Sequence, residues 1–139
     1  MKKNDTGDKL LAALAIIVVS GTVIWGLFMT GSPEKQREKK FDAKRVSDIQ
    51  EIARSIDLYY TRHTALPNTL DTLENEPGIT INRTDPKTGT PYTYTITSGN
   101  SYTLSAEFST ESASGINNIW EHPAGTYRFQ LSAKTLEQR

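Results

Sequence analysis

The stretch from Leu10 to Met29 reads LLAALAIIVVSGTVIWGLFM, twenty residues without a charge. At about 1.5 Å rise per residue, a helix of that length reaches roughly 30 Å, the thickness of a bilayer's hydrocarbon core. A helix inside a soluble core seldom runs so far without a polar face. A cleaved signal has a shorter apolar region of about 7–15 residues and a small-residue cleavage site. Here Ala13 and Ala15 lie inside the run, and Phe28-Met29-Thr30-Gly31-Ser32-Pro33 offers no such site. The expectation is a retained single-pass anchor over residues 10–29, with a flank at 1–9 and a break at 30–33.

One globular domain is expected over residues 34–131, followed by a tail at 132–139. Sixteen Lys and Arg balance sixteen Asp and Glu over the chain. Phosphate contact needs a clear basic excess, so nucleic acid is not an expected partner. With no Cys, thiol nucleophiles, zinc thiolate sites and disulfides are all excluded.

Pro33 suits the first position of a second helix, with Ser32 as its cap and Glu34 in its first turn. From there to about Arg62, the residues Val46, Ile49, Ile52, Ala53, Ile56, Tyr59 and Tyr60 fall on one stripe at spacings of three and four. Arg45, Asp48, Glu51, Arg54 and Asp57 are assigned to the wet side. The charged opening from Glu34 to Arg45 reads as a solvated helix face with Glu–Lys pairs. Its other reading is a lipid-headgroup contact beside the anchor. Leu66, Leu70 and Leu73 predict a short helix. Asp85-Pro86-Lys87-Thr88-Gly89 is a turn by composition. Tyr92, Tyr94 and Ile96 then alternate with threonines, Ser98-Gly99-Asn100 reverses the chain, and Tyr102, Leu104, Ala106 and Phe108 alternate in turn. That pattern is a β-hairpin, and Tyr127, Phe129 and Leu131 supply a third strand. The expected class is α+β: an N-terminal transmembrane helix, then a long amphipathic helix packed on a small three-stranded antiparallel sheet.

This order of features resembles the globular domains of bacterial type IV pilin-like proteins, particularly the major pseudopilins of type II secretion. It also resembles membrane-anchored bacterial proteins built on the same plan. The resemblance covers residues 41 to 131. It rests on Val46-x-x-Ile49-x-x-Ile52 through Tyr59-Tyr60, on Leu66-Pro67, and on Asp85-Pro86-x-x-Gly89-x-Pro91-Tyr92-x-Tyr94. It implies a pilin-like fold, a structural or protein-interaction role in the bacterial envelope, and an extracytoplasmic domain. Prepilins carry Gly-Phe before the apolar run and a Glu five residues on. In this chain Gly7 is followed by Asp8, and the matching position is Ala12.

No catalytic, cofactor or metal residues are assigned from the sequence. His63 and His122 are too far apart for helical ligand spacing, and no phosphate loop or Gly-x-Ser-x-Gly elbow is present. The resemblance raises calcium, which pseudopilins hold in a loop after the sheet. The matching stretch, Ser109 to Gly125, offers Glu111, Glu121, Asn117 and Asn118, few carboxylates for a cation that takes six to eight oxygens. The expected role is therefore an interaction module, with the bilayer, other envelope proteins or copies of itself as partners. The alternative is an enzyme or ligand-binding domain using the Trp120–His122 loop, with Glu121 and Glu107 converging on it.

Overall fold

The computed structural model describes residues 5–30, 32–112 and 119–134. Its contacts divide the chain into two units, Met1–Arg37 and Glu38–Arg139.

The first unit is dominated by helix α1, Asp5–Thr30. Its stretch Lys9–Gly26 is long and apolar enough to cross a membrane, and none of it is buried in the protein. Leu10 is 74% exposed and Trp25 69%. Apolar surface left open on that scale marks a membrane or interaction surface. The Thr22 hydroxyl donates to the carbonyls of Val18 and Val19, at 3.1 and 2.8 Å. Its polar atom is thus satisfied within the helix, as an apolar medium requires.

Helix α2, Pro33–His63, begins at the expected proline. Its first turn is capped as expected: the Lys35 N–H donates to Ser32 Oγ at 3.3 Å, and the Gln36 N–H to the Ser32 carbonyl at 3.2 Å. Helix α3, Leu70–Glu74, is shorter than the Leu66 start implied. Thr69 is its cap, accepting from the Thr72 N–H. Leu66 and Pro67 enter the core before the helix starts, because a proline biases its preceding residue toward extended backbone.

The sheet is antiparallel in the order β1-β2-β3, with β1 Thr93–Ser98, β2 Ser101–Phe108 and β3 Gly125–Ser132. Pairing sets Tyr94 against Leu104 and Leu104 against Phe129. Residues one step along in each strand point the other way, so Thr93, Thr95, Thr103, Ser105, Arg128 and Gln130 form the second face. Gly99 supplies the positive φ, 53°, of the β1–β2 reversal. The core joins Ile49, Ile52 and Ile56 of α2 with Leu73, Tyr102, Leu104, Phe108 and Phe129. The domain is therefore α+β, as the sequence patterns indicate.

One assignment on α2 is overturned. Arg45, Asp48 and Asp57, read as wet, are buried, while Glu51 and Arg54 are exposed. Helix phase explains the difference. Stepping back from Ile49 by four and by seven reaches Arg45 and Asp42, so the buried stripe continues into charged residues rather than stopping at Val46.

Candidate functional site: a buried charge cluster and the Trp120–His122 loop

Arg45 is 2% exposed and is held between two carboxylates. Its Nε and Nη2 donate to Asp85 Oδ2 and Oδ1 at 2.5 and 3.1 Å, a bidentate pair. Its Nη1 donates to Asp42 Oδ1 at 2.7 Å. Asp85 stands at the head of the Asp85–Gly89 turn and accepts the N–H groups of Lys87 and Thr88 at 2.8 and 2.9 Å. Gly89 closes that turn with φ +71° and donates to the Asp85 carbonyl. Asp42 accepts the N–H groups of Ser109 and Thr110, and the Thr110 hydroxyl, just past the end of β2. Three chain segments distant in sequence thus meet on one guanidinium.

A third carboxylate, Asp48, ties the residues on either side of that turn to α2. Asp48 accepts from Lys44 at 2.5 Å, from Asn82 at 3.1 Å and from the Tyr92 hydroxyl at 3.1 Å. Burial, then the Asp48 charge, drive the Tyr92 phenol well above its ordinary range. Burial alone would raise the Asp85 carboxyl, but Arg45 and the Thr88 and Lys87 N–H groups more than offset it and hold it at about 2. Asp42 is likewise lowered despite burial, chiefly by the Ser109 N–H and the Thr110 hydroxyl. Among the described residues no buried side-chain nitrogen or oxygen lacks a hydrogen-bond partner. The Asp85-Pro86-x-x-Gly89-x-Pro91-Tyr92 run is therefore a structural clamp: its Asp and Tyr fasten the turn to α2.

The Trp120–His122 loop is built by packing. The buried His122 ring stacks on Phe108 with centroids 3.5 Å apart, and its Nδ1 lies 3.2 Å from the Pro123 carbonyl. The His122 N–H donates to Ser112 Oγ at 2.9 Å, and the Ser112 N–H returns to the His122 carbonyl at 3.0 Å. Trp120 leans on Phe129 at 5.5 Å. An open cleft of about 440 Å³ lies beside them, walled by Lys39, Asp42, Val46, Glu111, Trp120 and His122 among others.

The trio of the ligand-binding alternative does not assemble. Glu107 is exposed and alternates out of phase with Phe108, so it sits on the sheet face away from His122. Glu121 is half-buried. His63 lies at the far end of α2, with its Nε2 3.2 Å from Glu76 and its ring against Tyr59. For calcium, Glu111 is exposed, and Asn117 and Asn118 lie outside the described residues. Among the described residues no group of three or more His, Asp or Glu could hold a metal. The buried cluster is hidden in the sequence pattern, where charge reads as a mark of solvent. The signal available was the phase of Asp42 and Arg45 with Ile49. No protein-family model matches the chain, and no curated protein or solved structure matches it.

Proposed function

We propose that this chain is a membrane-anchored protein-interaction module of the bacterial envelope, with a pilin-like domain similar to the major pseudopilins of type II secretion. The observation that carries the reading is α1, whose stretch Lys9–Gly26 carries no charge beyond Lys9 and has no buried residue. The order of long helix, clamped turn and three-stranded antiparallel sheet supports the pilin-like plan. The buried polar residues are used in holding the domain together, which favours binding over catalysis.

We place the domain outside the cytoplasm. Residues 88–133 carry a single basic residue, Arg128, among many Thr, Ser, Asn and Tyr, and pilin-like domains face outward. Lys2, Lys3 and Lys9 precede the anchor, whereas six basic residues from Lys35 to Arg45 follow it; the positive-inside tendency pulls the other way. In the structure Arg45 is buried and Lys44 is paired with Asp48, which leaves four. Alkaline phosphatase fused to the C-terminus is expected to be active in cells, and a green fluorescent protein fusion dark. The reverse pair of results would put the domain in the cytoplasm and remove the likeness to pilins as a guide.

A further inference from the structure

An open sheet edge presents a row of backbone N–H and C=O groups without partners, and natural proteins blunt such edges with charge, proline or a bulge. The described sheet has two edges, β1 and β3. β3 carries Arg128, which is exposed. β1 reads Thr93-Tyr94-Thr95-Ile96-Thr97-Ser98, with no charge and no proline. Its register irregularity falls between Ile96 and Ser98, at the hairpin end, so residues 93–96 run as a regular strand. Among the described residues, no backbone hydrogen bond from outside the sheet reaches Thr93–Ser98. Every residue of the strand except Tyr94 is exposed, Ile96 at 42%.

We propose that the open edge of β1 pairs with β1 of a second copy of this chain, in an antiparallel register centred on Thr95. The occupant is a second copy because the strand is chemically palindromic. About a twofold axis at Thr95, Tyr94 stands opposite the second copy's Ile96, Thr95 opposite its Thr95, and Ile96 opposite its Tyr94. Residues two apart share a face, so the apolar pairs fall on the core side of both sheets and the threonines meet on the other. Aromatic with β-branched and threonine with threonine are favourable cross-strand pairs. A slip of one residue would set Tyr94 and Ile96 against threonines, which the alternation disfavours. Tyr94 is already fixed, its hydroxyl donating to the Pro67 carbonyl at 2.9 Å and its ring 5.8 Å from that of Tyr102, so it loses little freedom on pairing. A contact this short buries less than the roughly 1,200 Å² of a stable soluble interface. The copies must therefore be concentrated, which anchors in one shared bilayer achieve; to that extent the inference rests on the anchor reading above.

The chain has no Cys, so a single introduced cysteine reports the contact without ambiguity. Residues directly opposite in an antiparallel pair lie about 4.5–5.5 Å apart at Cα, within disulfide range. The full chain carrying Thr95→Cys, or Thr126→Cys on the β3 edge, is reconstituted into phosphatidylcholine vesicles and oxidised with copper phenanthroline. The disulfide dimer is followed on non-reducing gels. Thr95→Cys is expected to dimerise at least about tenfold faster than Thr126→Cys, because pairing holds the two thiols together. Adding Ile96→Lys to Thr95→Cys should bring the rate down to that of Thr126→Cys, since an edge lysine opposes strand addition. An unchanged near-ultraviolet circular dichroism spectrum checks that this variant is folded. Equal rates for the two single cysteines would overturn the proposal and leave the edge to a strand of another protein. Fast Thr95→Cys dimerisation that a folded Ile96→Lys variant does not slow would overturn it as well. Flotation on a density gradient is run in parallel. A chain that floats but shows no preference for Thr95→Cys refutes the pairing alone. A chain that does not float removes the anchor reading and this inference together.

Discussion

Replacing Arg45 by Met should destabilise the domain by about 3–5 kcal/mol, because removing one partner of a buried ion pair leaves the other charge uncompensated. Here two carboxylates, Asp42 and Asp85, lose their shared guanidinium at once. Domains of this size have only about 5–15 kcal/mol in total, so the variant should melt far below the parent. The Arg45→Met, Asp85→Asn double variant should lose less than Arg45→Met alone, since one of the stranded charges is gone and Asn can still accept the Lys87 and Thr88 N–H groups. The pH dependence has a definite sign. The folded Asp85 carboxyl sits at about 2 against an ordinary 3.8, so its contribution is complete above pH 4 and is lost as pH falls through 2. The gap between parent and Arg45→Met should therefore narrow over that window. Urea titrations at pH 7, 4 and 2.5 measure it. A constant gap would mean that Arg45 acts through packing and not through charge.

Ile49→Asp and Ile56→Asp should each abolish the folded domain outright. Both side chains are fully buried in the shared core, where an unpaired carboxylate costs several kcal/mol and a large apolar group is lost with it. Glu51→Ala, on the exposed side of the same helix, should stay within about 0.5 kcal/mol of the parent. Near-ultraviolet circular dichroism of the full chain in detergent reads the tertiary signal directly. A native spectrum for Ile49→Asp would show that the helix phase is misassigned.

The elements of this fold are legible because their periodicities are unmixed. Leu10–Met29 has no polar face, Ile49-Ile52-Ile56 keeps helical spacing, and Tyr102-Leu104-Ala106-Phe108 alternates strictly. What escaped is the interior use of charge. Asp42, Arg45 and Asp48 carry the helical phase of core residues but the chemistry of surface ones, and phase decides. Their partners lie forty or more residues away, at Asp85, Tyr92 and Ser109–Thr110, a distance over which local pattern has no reach. The same long-range pairing draws in Glu38, which accepts from Lys87, forty-nine residues on. Ile96 departs from its pattern for a different reason. It alternates correctly with Tyr94 yet is 42% exposed, because β1 lies at the edge of the described sheet.

On this reading α1 stays on the folded domain as a membrane span. Alkaline extraction of membranes from cells expressing the chain, followed by intact-mass measurement of the pellet, addresses it most directly. The expected result is a protein resistant to extraction whose mass includes the whole of Leu10–Met29. A protein released into the supernatant, or one whose N-terminus lies beyond Met29, would contradict it.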